Sequence, residues 1–104
     1  MITVVEKDQF VYFLKLIPRL CDPSNWAEQD NSVVGRHFRY LEGLLSDGSL
    51  ILAGRTLDDN PTGIVILEAA SQEDAHHLMS LDPAVAEGIM TAELLPYRVS
   101  LIRG

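Results

Sequence analysis

Residues 79–101, MSLDPAVAEGIMTAELLPYRVSL, decide the fold because they contain the last change from helix to strand. Asp82 and Pro83 end an apolar helix, since the residue before a proline disfavours helical backbone. After a turn of small residues, residues 90–101 have the β-propensity of a final strand. The apolar phase of this strand changes around residues 94–96, which predicts a bulge or kink. The segment also leaves the carboxylate of Asp82 at the junction between helix and strand.

The rest of the chain predicts alternating strands and helices. Strands are expected at residues 10–17, 50–54, 64–69 and 90–101, and helices at residues 34–48 and 72–80. Helical spacing in the first helix predicts a buried stripe of Val34, Phe38, Leu41 and Leu45. Residues 18–32 are a long connection for a compact domain, so they are either a functional loop or partly helical. The order βαββαβ is the split pattern of the ferredoxin-like fold, an α+β class with an antiparallel sheet, in a single domain of residues 1–104.

Composition excludes several classes of function. The formal net charge is -7 with only eight Lys and Arg residues, which argues against a nucleic-acid-binding surface. Cys21 is the sole cysteine, so no intrachain disulfide is possible. The first ten residues, MITVVEKDQF, lack the apolar region of a signal peptide, and no apolar run reaches membrane-spanning length. We therefore expect a cytoplasmic protein with no nucleic-acid or membrane partner.

The sheet is predicted to be apolar on both faces. In the first strand, one face carries Phe10, Tyr12, Leu14 and Leu16, and the other carries Val11, Phe13 and Ile17. A sheet with helices on one face and water on the other should alternate apolar with polar residues. Two apolar faces need a second cover, and a second copy of the chain supplies one. The sequence therefore predicts a homodimer that packs sheet to sheet.

The predicted topology brings His37 and Asp82 to one end of the molecule. The two helices are antiparallel neighbours, so the early part of the first lies near the end of the second. An Asp that accepts from one ring nitrogen of a His orients the ring and leaves the other nitrogen free for general acid or base catalysis. The alternative is that both residues serve local hydrogen bonds, with Asp82 capping the turn before Pro83. Trp26, in the 18–32 connection, is either a wall of the pocket or a packed loop aromatic.

Three stretches resemble the YCII-related (YciI-like) family of small dimeric α/β-barrel proteins: RHFRYLEGLLSDGSLILAG, GIVILEAASQEDAHHLMSLDPAVAEGI and ELLPYRVSL. The resemblance covers residues 10–101. It implies a ferredoxin-like protomer, a homodimer, and an active site built on a His and an Asp, which match His37 and Asp82 here. Some relatives are implicated as dehydrochlorinases in chlorinated-aromatic breakdown, and most have no assigned reaction. Arg55 stands where many relatives carry Pro, which changes the polarity of the pocket and prevents transfer of a substrate.

These observations predict a lyase-, dehydrochlorinase- or isomerase-type enzyme that acts on a small acid, with aromatic acids among the candidates. His37 would be the acid or base, Asp82 would orient it, and Trp26, Arg36 and Arg55 would contact substrate. No cofactor and no metal are expected, because adjacent histidines such as the pair at 76 and 77 point about 100° apart on a helix and cannot share one ion. Two alternatives stay open: a non-catalytic small-molecule-binding or regulatory homodimer, and a relative of the antibiotic monooxygenases.

Overall fold

The computed structural model describes residues 7–104, and the expected α+β class and βαββαβ order are confirmed in it. The strands are β1 (Asp8–Leu16), β2 (Leu50–Arg55), β3 (Thr62–Ala69) and β4 (Met90–Tyr97), and the helices are α1 (Glu28–Ser46), α2 (Gln72–Leu81) and α3 (Pro83–Ala86). The strands form one antiparallel sheet in the order β2-β3-β1-β4. Among residues 7–104, none of the helices combines the length and the apolarity needed to cross a membrane.

The main differences from the predictions lie in the 18–32 connection and in the last strand. α1 begins at Glu28, so the 18–32 connection consists of two short 3-10 turns, Pro18–Cys21 and Pro23–Asn25, followed by the first residues of α1. The last strand ends at Tyr97 rather than at residue 101. The predicted bulge in this strand is also wrong, because β4 pairs with β1 without interruption, and the irregularity lies in β2 between Leu50 and Leu52. Since β4 is an edge strand, its proline fits without a bulge.

The buried face of α1 is shifted by one position from the predicted stripe. Val33, Leu41 and Leu44 are buried, whereas Phe38 is 63% and Leu45 is 59% exposed. The prediction followed the helical spacing of apolar residues, whereas the face that packs on the sheet is the neighbouring one. Residues 33, 37, 41 and 44 share one helical face by their spacing of four, four and three. His37 therefore lies on the inner face of α1, between buried apolar side chains.

The helix-covered face of the sheet contains the main hydrophobic core. Its sheet side is formed by alternate residues of β1 and β3 with Leu50 of β2, and α1 and α2 cover it. Its largest members are Phe10, Tyr12, Leu14, Leu41, Leu44, Leu50, Val65, Leu67 and Met79. In the centre of the sheet, Tyr12 of β1 pairs with Val65 of β3 on one side and Leu94 of β4 on the other. Tyr12 is completely buried. A hydroxyl in such a position needs a hydrogen-bond partner.

The segment between α2 and β4 is tightly folded by its own hydrogen bonds. The Asp82 side chain accepts from the backbone N–H of Ala84 and so caps α3. Gly88 has a φ of 73°, in the left-handed region that favours glycine, and its N–H donates to the carbonyl of Val85. The next residue, Ile89, donates to Ala84 and accepts from the N–H of Ile17 at the end of β1. These bonds fasten the junction to the central strand and fix the position of Asp82.

The opposite face of the sheet also carries apolar side chains, as the alternation predicted. Phe13, Ile64 and Ile66 on this face are half-buried in the single chain. On the flanking strands, Leu52 is 50% and Leu95 is 42% exposed. We call this surface the open face of the sheet. Its apolar character is what makes a second covering layer favourable.

The first turn of α1 is held by a carboxylate with a lowered pKa. Asp30 accepts two hydrogen bonds from the Arg19 guanidinium, at 3.0 and 2.8 Å, and one from the backbone N–H of Ala27 at 2.9 Å. These donors, Arg19 first, lower the pKa of Asp30 to about 2. A carboxyl whose pKa is lower in the folded chain than its unfolded value of about 3.9 stabilises the fold above that value. This stabilisation is lost as the pH falls to about 2.

We predict that Asp30→Asn lowers the free energy of unfolding at pH 7, and that the difference from the wild type shrinks as the pH falls from about 4 to about 2. Urea unfolding at a series of pH values measures it. Glu28→Gln, in the same turn of α1 and exposed, is the matched control and should show a smaller difference. A difference that is the same at pH 7 and pH 2 would contradict the assignment.

Candidate active site

His37 and Asp82 are in direct contact, as the topology predicted. Nδ1 of His37 lies 2.6 Å from Oδ1 of Asp82. His37 comes from the inner face of α1, and Asp82 lies at the point where α2 ends and α3 begins. The side chain of His37 is 14% exposed, whereas that of Asp82 is completely buried. The pair therefore joins a buried carboxylate to an imidazole that reaches the surface.

Asp82 accepts hydrogen bonds from three separate parts of the fold. Its Oδ2 accepts from the Tyr12 hydroxyl at 2.8 Å. Its Oδ1 faces Nδ1 of His37 and also accepts from the backbone N–H of Ala84 at 3.0 Å. Within residues 7–104, no buried side-chain nitrogen or oxygen lacks a partner. Asp82 therefore caps the turn after it, which was the alternative interpretation of this residue, and it also contacts His37. Both interactions involve Oδ1.

The contact with Asp82 defines the orientation of the His37 ring. A carboxylate accepts hydrogen bonds, so the shared proton belongs on Nδ1 of the neutral ring, and Nε2 carries the free lone pair. Among the described residues, the side chain of His37 has no hydrogen bond other than that to Asp82. Nε2 is therefore available to a small molecule. This is the arrangement that general base catalysis requires.

The negative charge of Asp82 also acts on two tyrosines. Burial first, and the neighbouring Asp82 second, raise the pKa of the Tyr12 hydroxyl far above its ordinary value. The same two causes raise the pKa of Tyr40 to about 12. Tyr40 does not bond to Asp82; its hydroxyl donates to the carbonyl of Leu78 at 2.6 Å. Both hydroxyls therefore stay protonated at neutral pH and act as donors.

Arg36 is paired on the surface, one residue before His37. Its guanidinium contacts both carboxylate oxygens of Glu87, and Nη2 lies 3.1 Å from Oε1. The guanidinium lowers the pKa of the Glu87 carboxyl. This ion pair links α1 to the turn after α3, beside the His37–Asp82 contact. If Arg36 binds substrate, its guanidinium must contact the substrate while it is paired with Glu87. Substrate binding by Arg36 stays a prediction.

Neither Trp26 nor Arg55 has a hydrogen bond to His37 or Asp82 within the described residues. The Trp26 indole N–H donates to the carbonyl of Leu20 at 2.9 Å, and its ring packs on a small second core that includes Leu20 and Val33. These are the contacts of a packed loop aromatic. Arg55 is exposed at the end of β2, an edge strand two positions from β1 in the sheet. Substrate contact by either residue stays a prediction.

Two cavities open on the described surface, and neither is lined by His37 or Asp82. One, of about 440 Å³, lies on the open face and is lined by Phe13, Lys15, Thr62, Thr91, Ala92 and Glu93. The other, of about 260 Å³, is lined by residues that include Arg19, Asp30 and Val33. Val33 lies one helical turn before His37. The pocket expected beside the pair is therefore not one of these two. In the described part of the chain, no group of three or more potential metal-ligating side chains is present.

Sequence reasoning missed Tyr12 as part of the site. It placed Tyr12 correctly on one face of β1 among apolar residues, but treated it as core. The signal was available, because a tyrosine in the middle of a buried strand face must direct its hydroxyl to an acceptor. Which acceptor it finds depends on the packing of α2 over β1, which the sequence does not display.

Comparisons with known proteins identify the domain. The family model for the YCII-related domain matches residues 7–97. A solved structure of 5-chloro-2-hydroxyhydroquinone dehydrochlorinase from Burkholderia phenoliruptrix, in complex with 2,5-dihydroxybenzoquinone, superposes with a TM-score of 0.66 at 21% identity, covering 86% of this chain and 93% of that one. An uncharacterized protein from Thermotoga maritima superposes with a TM-score of 0.55 at 8% identity, covering 89% and 100%. No curated protein sequence matches the chain. At these identities the two structures show a shared fold.

We predict that Asp82→Ala lowers the free energy of unfolding by about 3–5 kcal/mol, because it leaves the Tyr12 hydroxyl and the Ala84 N–H buried without an acceptor. Urea unfolding measures the loss. The control is Asp59→Ala in the exposed β2–β3 turn, where we expect a change within about 0.5 kcal/mol. A loss below about 1 kcal/mol for Asp82→Ala would show that these contacts do not hold the junction.

Proposed function

We propose that this protein, which belongs to the YCII-related domain family, catalyses a proton-transfer reaction of the elimination or isomerisation type on a small acidic molecule. The observation that carries the proposal is the 2.6 Å contact between Nδ1 of His37 and the buried Asp82 carboxylate. This contact directs Nε2 away from Asp82 and makes it the basic atom of the site. His37 is the acid or base, and Asp82 is the residue that orients it.

The chemistry proposed for Nε2 is the removal of one proton from the substrate. In an elimination, the electron pair of the broken bond to hydrogen forms a new double bond, and the leaving group departs from the neighbouring carbon with its own bonding pair. The imidazolium that forms is stabilised by the Asp82 carboxylate, and it later gives the proton to water. In an isomerisation, the imidazolium instead returns the proton to a different atom of the substrate. Neither reaction requires an oxidant or a reductant.

The named structural neighbour supports a choice of test compounds. That protein is a dehydrochlorinase, its substrate is a chlorinated trihydroxy aromatic compound, and the molecule in its complex is a planar quinone. The keto tautomer of such a compound has a protonated, tetrahedral carbon at the chlorine, so loss of a proton from a conjugated hydroxyl can expel chloride and form a quinone. We therefore place small, planar, hydroxylated aromatic compounds first among the candidate substrates of this chain. Arg55 and the Arg36–Glu87 pair would then set the selectivity among them.

We also propose that the functional unit is a homodimer that packs open face to open face. The support is the apolar surface formed by Phe13, Ile64, Ile66, Leu52 and Leu95, which is contiguous across all four strands in the observed register. The same side chains on a second copy supply an apolar layer of matching extent. The cavity at Phe13 and Lys15 lies on this face and would be closed by the partner.

The enzymatic proposal predicts that His37→Ala lowers turnover by roughly a hundred- to ten-thousand-fold, because the general base is lost. The assay measures chloride release from 5-chloro-2-hydroxyhydroquinone and from a panel of chlorinated hydroxyaromatic acids, and double-bond migration in unchlorinated ones. His77→Ala, an exposed histidine on α2, is the matched control and should keep full turnover.

Two results would contradict the enzymatic proposal. One is a His37→Ala protein that turns over a panel compound at nearly the wild-type rate. The other is tight binding of a panel compound with no turnover at any pH. The second result would favour the binding-module alternative, in which the His37–Asp82 contact orients a ligand rather than a reaction.

The dimer proposal predicts that the protein sediments at twice the chain mass of 11.5 kDa at micromolar concentration. Leu95→Asp, which puts a charge on the open face, should sediment at one chain mass with an unchanged circular dichroism spectrum, since Leu95 is 42% exposed in the single chain. Leu45→Asp places the same change on the outer face of α1, where Leu45 is 59% exposed, and should leave the dimer intact. A wild-type protein that sediments as a monomer would overturn the proposal.

A further inference from the structure

We propose that Tyr12 is the positioning residue of the site: its buried hydroxyl holds Oδ2 of Asp82 so that Oδ1 faces Nδ1 of His37. This inference rests on the proposed function, since it concerns the same acid–base pair. It adds a residue from the central strand of the sheet to a site that otherwise consists of two helical elements.

The hydrogen-bond donors to Asp82 are divided between its two carboxylate oxygens. Oδ2 accepts from Tyr12 at 2.8 Å, whereas Oδ1 faces Nδ1 of His37 at 2.6 Å and accepts from the N–H of Ala84 at 3.0 Å. A carboxylate attached through a single bond can rotate and exchange its two oxygens. A strong donor on each oxygen fixes the rotation, and Tyr12 is the only described donor on Oδ2. Without the hydrogen bond from Tyr12, the carboxylate is held only by the two contacts on Oδ1.

Tyr12 itself is held rigidly by its surroundings. The residue is fully buried at the centre of the sheet, and its neighbours across the strands are Val65 and Leu94. A phenol ring held in a close-packed core has little freedom to follow a moving carboxylate. The hydroxyl therefore acts as a fixed reference point for Asp82. This bond ties the Asp82 side chain itself to β1, in addition to the backbone bond from Ile17 to Ile89 that holds the junction.

The chain contains a natural comparison for Tyr12. Tyr40, which is partly buried, packs against the same core, and its hydroxyl also donates a hydrogen bond across a long sequence separation. Its acceptor is the carbonyl of Leu78, not Asp82. Tyr40→Phe therefore removes one hydroxyl and one hydrogen bond, as Tyr12→Phe does, but leaves all three donors on Asp82 in place.

The test compares the ring nitrogens of His37 by ¹⁵N NMR in the wild type, Tyr12→Phe and Tyr40→Phe, at a pH where the ring is neutral. In the wild type and in Tyr40→Phe, Nδ1 should carry the proton and Nε2 should be bare. In Tyr12→Phe, the population of this tautomer should fall, and the two nitrogen signals should move toward their average. The measurement needs no substrate, so it stands apart from the enzymatic proposal.

Activity supplies the second readout. On any compound that the wild type turns over, Tyr12→Phe should lower kcat by about tenfold with KM little changed, which equals the lower end of the losses known for outer hydrogen bonds that orient metal-bound histidines. Tyr40→Phe should keep kcat. If turnover is absent in every protein but the tautomer change appears, the positioning role stands and the enzymatic proposal fails. If His37→Ala abolishes turnover and Tyr12→Phe matches Tyr40→Phe in both readouts, the positioning role is wrong.

A fluorinated tyrosine keeps the test decisive if Tyr12→Phe does not fold. Replacement of Tyr12 by 3,5-difluorotyrosine retains the hydroxyl and makes it a stronger donor. The Nδ1–H tautomer should then be at least as populated as in the wild type, and the ring signals should shift on fluorination. Ring signals identical to those of the wild type would overturn the inference. If the Tyr12 hydroxyl positions Asp82, a change in its donor strength must change the ¹⁵N signals of the His37 ring.

Discussion

The buried carboxylate of Asp82 is the constraint on which the rest of this structure depends. A charge taken out of water is costly unless hydrogen bonds replace its hydration. Here the replacement comes from three directions: a side chain in β1, a side chain in α1 and a backbone N–H at the start of α3. Each donor must lie within hydrogen-bond distance of the carboxylate for its burial to be energetically acceptable. The carboxylate therefore ties the placement of both helices over the sheet to the geometry of a single residue.

This constraint also explains why the junction between α2 and β4 has so little freedom. Asp82 ends one helix, and its side chain caps the next, while Gly88 turns the chain into the last strand. The Arg36–Glu87 pair fastens the same junction to α1 from the surface. A histidine that contacts Asp82 is consequently held against a stiff support. Such support is what an oriented acid–base group needs, because small displacements of a reacting group are expensive in rate.

The sequence predicted the architecture and the meeting of His37 with Asp82, because both follow from element order and from the antiparallel packing of two helices. It failed where burial decided between similar patterns. Residues 34, 38, 41 and 45 and residues 33, 37, 41 and 44 both have helical spacing, and only the first set is entirely apolar, so the stripe was assigned to it and His37 was left out of the buried face. The hydrogen-bond acceptor of Tyr12 could not be predicted from the sequence, since it depends on how α2 packs over the sheet. Trp26, predicted as a pocket wall or a packed aromatic, shows the contacts of the second.

The central claim is that Nε2 of His37 faces the substrate while Nδ1 is held by Asp82. It is tested most directly by a crystal structure of the protein with 2,5-dihydroxybenzoquinone, the molecule found in the complex of the Burkholderia phenoliruptrix dehydrochlorinase. The account predicts that an oxygen of the quinone lies within hydrogen-bond distance of Nε2 of His37, with the contact between Nδ1 and Asp82 intact. A quinone seated only in the cavity at Phe13 and Lys15, with no contact to His37, would contradict it.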